Sequence, residues 1–432
     1  MRLAAHVSKK EIKREIKRMS KNEEKYRVLL VWLCVISYFV SYITRVNYNS
    51  VLLEIEKVAG FDKVSAALAL TGSCITYGGG QLISGWLGDR ISPKLMVLMG
   101  LLLSAAMNLA VPLFTYPAFV LCFWCVNGFA QALIWPPLVR LMSTYLDEDQ
   151  YKKSCVQVTC GSSVGTIAVY LLAPLCISRG SWRSLFFLCA ATALVFSVIW
   201  FMGVGAAEKR LRKFVANHTS GLPAGEGNLQ NKEGVRSHTP FLLIGMIMVA
   251  IVMQGILRDG VTTWMPSYLS DTFHLGSAVS VLSGIILPIF GICCLQLTLQ
   301  LNRRLIKNEL LCAGSLFLPS CLSALLLLMM FSANPVLSVF LSAVITGCMY
   351  GVNVILASML PRYFGKNGRV SFISGLFNSC TYVGSALSGS GSALIAQTAG
   401  WPAVILFWCG AALVGTLLCV KAAGPWKRFR EQ

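Results

Sequence analysis

The chain has 432 residues, of which 56% are hydrophobic and only 13% are charged. This composition excludes an ordinary soluble domain. The net charge of +19 would suit a nucleic-acid partner, so the positions of the basic residues decide what the charge is for.

Apolar runs of about 20 residues recur along the whole chain, and each is long enough to cross roughly 30 Å of hydrocarbon as a helix. Twelve such runs lie near residues 28–53, 64–87, 94–113, 117–140, 154–177, 184–205, 240–268, 278–301, 308–331, 335–360, 369–396 and 402–421. At this length only helices satisfy their own backbone hydrogen bonds in lipid. The sequence therefore predicts an all-α membrane protein with twelve transmembrane helices.

The basic residues alternate between the loops that join these spans. Of the 37 Lys and Arg residues, 31 lie in the two terminal segments and in the loops on the same side of the membrane as the termini. By the positive-inside rule, both termini are predicted to be cytoplasmic. The charge thus indicates topology and attraction to anionic lipid, with no nucleic-acid partner.

The longest polar stretch, 206–239, separates six spans from six and is predicted to be a flexible cytoplasmic linker. The two six-helix bundles then cover 28–205 and 240–421. A basic segment at 1–27 is predicted to lie on the membrane surface and orient the protein, and 422–432 forms a cytoplasmic tail.

The two halves carry matching residues at a nearly constant offset. Arg45 and Arg258 are 213 positions apart, and the same offset relates Asp89 to Asn302 and Arg90 to Arg303. Such register predicts a duplicated six-helix unit. In transporters built this way, the substrate site lies near the bilayer midplane between the repeats.

An arginine within a span should face a partner or a water-filled cavity. Polar and aromatic residues share a helix face with Arg45 and Arg258 or recur at helical spacing in other spans. They include Tyr38, Tyr42, Tyr77, Gln81, Gln131, Trp135, Tyr350, Asn353 and Tyr382. We expect these stripes to converge on a central cavity that is polar, aromatic and twice positive, and that suits phosphate or carboxylate.

Asp259 follows Arg258 directly. Because adjacent residues on a helix point about 100° apart, we expect it not to neutralise Arg258 head-on. It is either a packing ion pair or a proton site.

Other reactive residue types do not form sites. The sixteen cysteines lie almost all within apolar spans, where they act as small packing residues. The four histidines lie outside the spans or at their rims. We therefore expect no metal and no cofactor.

The stretch GWLGDRIS (85–92) follows the second span, and places Asp89 and Arg90 at the cytoplasmic rim. There a carboxylate can cap the N-terminus of a neighbouring helix in one conformation and release it in another. We therefore predict that both residues take part in gating. The stretch also resembles the Gly-x-Leu-Ala/Gly-Asp-Arg-x-Gly/Ser signature of the major facilitator superfamily.

Within that superfamily, the chain resembles the organophosphate:phosphate antiporters, the group of the bacterial glycerol-3-phosphate and hexose-phosphate transporters. The resemblance is carried by YFVSYITRVN, ITYGGGQLISGWLGDR, NGFAQALIWPPLVR, ILRDGVTTWMPSYL and CMYGVN. It implies that Arg45 and Arg258 bind the phosphate of the substrate. It also implies aromatic cavity residues at Tyr38, Tyr42, Tyr77, Trp135, Tyr350 and Tyr382.

The chain departs from the glycerol-3-phosphate member of this group at four positions. Val46 and Gln81 stand where that member has lysines, Ser162 stands near its histidine, and Gly255 replaces a tyrosine. The lost charge and bulk predict a different substrate that is larger or less charged.

We therefore expect a monomeric secondary transporter of a bacterial inner membrane that moves a small phosphorylated metabolite or comparable organic anion by alternating access. Exchange for inorganic phosphate follows from the resemblance alone. Proton symport of an organic anion through Asp259 is one alternative. A transporter-like sugar-phosphate receptor that signals through a partner kinase is another. No nucleophile–base pair can be assembled in the spans, so an enzyme is not expected.

Overall fold

A computed structural model describes residues 2–52, 54–55, 63–179, 181–219, 241–274 and 286–431, and the regular structure of these residues is helical throughout. The helices are, in chain order, α1 (Arg2–Ser50), α2 (Lys63–Gly88), α3 (Pro93–Leu113), α4 (Pro117–Ala132), α5 (Trp135–Tyr145), α6 (Glu148–Ser178), α7 (Arg183–Thr219), α8 (Phe241–Phe273), α9 (Ile286–Gln300), α10 (Glu309–Met329), α11 (Pro335–Asn353) and α12 (Val370–Glu431). A π-helical turn (Leu301–Leu305) follows α9, and a π-helical and a 3-10 segment (Val354–Met359 and Leu360–Asn367) follow α11.

These helices follow the predicted spans in order. In the described part of the chain, nine helical segments are long and apolar enough to cross a membrane. The longest, α12, changes direction at Gly400, whose φ of 77° is a conformation that glycine adopts without strain. Its two arms, 370–399 and 401–431, correspond to the last two predicted spans. The first residues of the predicted span 278–301 lie outside the described ranges.

Short-range chemistry sets several helix starts. A proline stands in the first turn of α3, α4, α5 and α11, where its missing N–H is not needed. Asp147 caps α6 by accepting a hydrogen bond from the Gln150 N–H at 2.8 Å, and Asn308 caps α10 through the Leu311 N–H at 3.1 Å.

The prediction of a flexible linker over 206–239 is wrong for its first part, because α7 continues to Thr219. The residues after 219 lie outside the described ranges. The predicted tail 422–432 is also helical, up to Glu431, and the basic segment 1–27 runs without a break into the first span. Extending an existing helix avoids the cost of nucleation, and the Lys, Arg, Glu and Ala of these segments are strong helix formers.

The two halves of the chain meet along a seam between α2 and the first arm of α12. Glycines bring the two backbones into contact there. A Cβ atom added at Gly85 would lie 2.8 Å from the Ser371 carbonyl oxygen, and one added at Gly375 would collide with the Gln81 carbonyl oxygen. Close backbone approach through small residues is a common way for membrane helices to associate.

The seam lies toward the face of the molecule that carries the start of the first span and the end of α12, which we call the terminal face. There Glu309 is completely buried. It accepts hydrogen bonds from Trp426 Nε1 at 2.9 Å and the Tyr363 hydroxyl at 2.7 Å. Its carboxylate also pairs with Lys152 Nζ at 2.8 Å and Arg430 Nη1 at 3.3 Å. Because Lys152 belongs to the first half, this cluster ties the two halves together.

Removing the first-half partner should loosen the terminal face. For Lys152→Ala we expect the closure there to weaken by about 2 kcal/mol, because a charged hydrogen bond to a buried carboxylate is lost. Hydrogen–deuterium exchange over 305–312 and 358–364 should then rise. The matched control is Lys153→Ala, which removes an exposed lysine that pairs with Asp149 at 2.9 Å. Equal exchange in the two variants would contradict the linking role of Lys152.

Candidate substrate-binding site

Arg45 lies on α1 and contacts both halves of the protein. Its Nη2 donates a hydrogen bond to the Tyr382 hydroxyl of the second half at 2.9 Å. Its Cζ lies 4.1 Å from the centre of the Tyr77 ring and 5.8 Å from that of Tyr42, which are cation–π distances. Among the described residues, no carboxylate forms a salt bridge with Arg45, so its partners are aromatic rings and a neutral hydroxyl.

Other predicted aromatic residues pack around this arginine. The Tyr38 ring centre lies 5.1 Å from that of Tyr42 and 4.8 Å from that of Trp135. The rings of Tyr77 and Tyr382 are 4.5 Å apart across the seam between the halves. The structure thus brings five of the predicted aromatic residues, from α1, α2, α5 and α12, into one cluster at Arg45.

Arg258, on α8, is engaged by its neighbour in the chain. Its Nε lies 2.7 Å from Asp259 Oδ1 and its Nη2 lies 2.9 Å from Asp259 Oδ2. The prediction that Asp259 would not neutralise Arg258 head-on is therefore wrong. Helical geometry fixes where the two Cβ atoms point, but the long arginine side chain bends across that angle and forms a bidentate pair.

The Arg258–Asp259 pair faces accessible space, since the two side chains remain 15% and 32% exposed. The Ser385 hydroxyl of α12 donates a second hydrogen bond to Asp259 Oδ2. The Tyr350 ring centre lies 5.8 Å from Arg258 Cζ. Tyr350 is thus the predicted aromatic residue that accompanies the second arginine.

Asn353 bonds within the second half. Its Nδ2 donates to Gln254 Oε1 at 3.2 Å and to Thr381 Oγ1 at 3.3 Å. Gln254 lies one helical turn before Arg258 on α8. Asn353 therefore joins α8, α11 and α12 beside the second arginine.

Gln81 lies one turn beyond Tyr77, in the seam against Gly375. Its side chain is completely buried, and neither amide atom has a hydrogen-bond partner among the described residues. The hydroxyls of Ser84 and Ser374 are also buried without a hydrogen-bond partner among the described residues. In this conformation the seam covers these polar groups, so Gln81 is separated from the space that the arginines face.

The two predicted gating residues behave differently. Asp89 accepts hydrogen bonds from the backbone N–H groups of Ser371 and Phe372, both at 2.9 Å, and so caps the N-terminus of α12 in the other half. Burial raises the pKa of the Asp89 carboxyl despite these bonds. Arg90 stays within its own half, where its Cζ lies 3.9 Å above the Trp86 ring. A gating role for either residue stays a prediction.

Comparison with known proteins agrees with this architecture. Residues 34–389 match the sequence profile of the Major Facilitator Superfamily. The chain belongs to that superfamily. The predicted all-α membrane fold with twelve helices in two repeats is thereby confirmed.

This superfamily member has relatives of known description. It is 28% identical over 183 residues to a probable hexose phosphate transport protein of Chlamydia muridarum, an alignment covering 41% of this chain and 40% of that protein. It is 26% identical over 309 residues to the glycerol-3-phosphate transporter of Bacillus subtilis, covering 67% and 68%. The chain thus spans well under half the length of the chlamydial relative.

A solved structure supports the fold. The chain superposes on a bacterial homologue of the iron transporter ferroportin in its outward-facing state with a TM-score of 0.70, at 14% identity, over 91% of this chain and 99% of the other. Among the residues that the structure describes, no group of three His, Cys, Asp or Glu side chains could hold a metal ion.

A buried polar network that the sequence patterns did not indicate lies behind Arg45. Asn108 Nδ2 and Asn127 Nδ2 both donate to the Thr44 carbonyl oxygen, at 3.0 and 3.1 Å. Gln131 Nε2 donates to Thr44 Oγ1 at 2.9 Å and to Ser104 Oγ at 2.8 Å. The network thus fixes the backbone of α1 directly before Arg45.

The expectation that Gln131 lines the central cavity is wrong, because its amide is held in this network and is almost completely buried. Helical spacing could not show that the face carrying Gln131 meets a packed helix instead of the cavity. The signal that could have found the network is the pairing of amides and hydroxyls four residues apart in two neighbouring spans: Ser104 with Asn108, and Asn127 with Gln131.

Breaking the network should destabilise the protein. For Asn127→Leu we expect a loss of about 1–3 kcal/mol, because the buried Thr44 carbonyl and Ser104 hydroxyl lose a partner. The thermal unfolding midpoint, followed by tryptophan fluorescence in detergent, should fall. The control is Ser197→Ala, since within the described part of the chain that buried hydroxyl bonds to the Ala193 carbonyl of its own helix alone. An unfolding midpoint no lower than that of the control would show that the network contributes little.

Proposed function

We propose that this protein is a secondary transporter that moves a small phosphorylated metabolite or similar organic anion by alternating access. The observation that carries the proposal is the pair of arginines at matching positions of the two repeats. Arg45 comes from the first half and Arg258 from the second, and both are only partly exposed.

The chemistry of the two arginines supports an anionic substrate. A guanidinium within a membrane span is costly to keep and marks a functional site by default. Its planar fork matches the oxygens of phosphate or carboxylate. The aromatic rings around Arg45 offer an apolar wall for the body of an organic anion, as ligand sites usually do.

The contacts between the halves support alternating access. One face is closed by the Asp89 cap on α12 and by the Glu309 cluster. If the two bundles rocked against each other, these contacts would break and the site would open to the terminal face, as in other transporters built from repeats. A substrate that bridges Arg45 and Arg258 would link the two halves at the site and so favour the reorientation of the loaded carrier.

Membrane, orientation and exchange belong to the same proposal. The excess of Lys and Arg at the terminal face supports cytoplasmic termini in a bacterial inner membrane. Relatives described as hexose phosphate and glycerol-3-phosphate transporters support a phosphorylated substrate. Exchange for inorganic phosphate rests on the family resemblance of the sequence. We propose that the monomer is the working unit, with 28–205 and 240–421 as the moving bundles.

Proton-coupled symport of an organic anion is the second candidate. It is favoured by Asp259, a carboxylate that contacts Arg258 and stays partly exposed. Protonation of Asp259 would free Arg258 for the substrate, and this would couple the two binding events.

Phosphate exchange tests the leading proposal. Proteoliposomes preloaded with phosphate should take up radiolabelled phosphate with the wild-type protein. Arg45→Lys and Arg258→Lys should each lower the rate by about tenfold or more, because a lysine cannot reproduce the bidentate contact. The control is Arg183→Lys, a partly buried arginine that lies 4.9 Å from the Trp182 ring, away from the site.

If phosphate exchange continues at the wild-type rate in both variants, the two arginines do not bind the substrate. Absence of exchange in a folded, monodisperse wild-type preparation would reject phosphate antiport. Uptake driven by a pH gradient would then be the measurement for the proton-coupled candidate.

A further inference from the structure

The two arginines of the site are engaged in unlike ways. Among the residues that the structure describes, the partners of Arg45 are a neutral hydroxyl and aromatic rings. Arg258 already holds a carboxylate in the bidentate geometry in which arginine also binds phosphate. One guanidinium is therefore open to an anion, and the other is occupied by an anion of the protein itself.

We propose that Asp259 is a specificity-determining residue that sets the charge of the accepted substrate to a single negative charge. This inference rests on the proposed transport function of the same site. Arg45, Arg258 and Asp259 together carry one net positive charge, which a monoanion balances. A dianion would leave an excess negative charge next to the Asp259 carboxylate, and like charges repel strongly in a poorly solvated site.

Asp259 is held where it can act in this way. Besides Arg258, the Ser385 hydroxyl of α12 donates to its Oδ2. The next residue, Gly260, is pressed against the same helix, since a Cβ added there would collide with Ser388 Oγ. The backbone next to Asp259 thus packs closely against α12, and the carboxylate lies beside Ser385 in the site.

The remaining polar groups near the pair do not change the charge balance. Tyr350 faces Arg258, and Tyr42, Tyr77 and Tyr382 face Arg45. Neutral phenols donate or accept hydrogen bonds without adding charge. The accepted class is therefore a singly charged anion, such as a phosphodiester, a singly ionised phosphomonoester or a monocarboxylate.

Two probe anions of fixed charge test this inference. Dimethyl phosphate is a monoanion and sulfate is a dianion across the working pH range. Their dissociation constants would be measured by titration calorimetry on the purified, full-length protein. The wild type should prefer dimethyl phosphate. In Asp259→Asn, sulfate should bind roughly tenfold or more tighter than to the wild type, because the repelling charge is gone.

Two further variants separate charge from packing. Asp259→Glu keeps the charge and should keep the wild-type preference. Asp271→Asn removes a carboxylate on the same helix that bonds Trp401 Nε1 at 3.1 Å instead of an arginine, and should also behave as the wild type. Equal changes in Asp259→Asn and Asp259→Glu would assign Asp259 a packing role and overturn the inference.

The outcomes also distinguish the inference from the proposed function. If the wild type binds the anions and Asp259→Asn binds sulfate no more tightly than the wild type does, the inference is overturned and the proposed function is unaffected. Failure of the wild type to bind either anion, together with the absence of both phosphate exchange and uptake driven by a pH gradient, overturns the proposed function, and the inference with it.

Discussion

A guanidinium within an apolar span must find partners inside the protein, and this constraint organises the centre of the molecule. Arg45 meets it with rings from three helices and a hydroxyl from the other half. Arg258 meets it with the adjacent carboxylate. The first solution joins the two halves, and the second stays within one half. Arg45, one of the two arginines that make the centre costly, thus also connects the repeats.

One helix links this centre to the closed face. The first arm of α12 offers the N–H groups of Ser371 and Phe372 to Asp89 at the terminal face. Further along the same arm, Tyr382 bonds Arg45 and Ser385 bonds Asp259. Ser371 and Tyr382 are eleven residues apart, or about 16 Å along a helix axis. A change in what Arg45 or Asp259 binds therefore acts on the helix whose end is capped in the seam.

Hydropathy and helical periodicity are enough to predict the fold of this chain, because few backbone structures satisfy their hydrogen bonds inside a membrane. The spans, the two arginines and the aromatic stripe of α1 follow from run length and spacing alone. Spacing gives the face on which a residue lies, but not what that face meets. Gln131 was therefore expected at a cavity and lies in a packed network. For the same reason, the direction of two adjacent Cβ atoms could not show that Arg258 bends onto Asp259.

Polar segments next to spans expose a second limit of sequence analysis. The charged residues after 206 read as a linker because they are polar, yet α7 continues through them to Thr219. Polarity indicates that a segment leaves the hydrocarbon, and helix propensity decides whether it stays helical. The two signals are independent, and here the second one determines the structure.

The surroundings of the two arginines differ in rigidity. Behind Arg45, the amides of Asn108, Asn127 and Gln131 are satisfied by one another and by α1, so that arginine stands on a rigid base. Arg258 is held by a carboxylate that is itself partly exposed, so its bonds can be exchanged for those of an incoming anion. A fully satisfied buried network rigidifies the backbone to which it bonds. In the proposed transporter, the first half would supply a fixed anchor for the substrate, and the second half would supply the contact that responds to its charge.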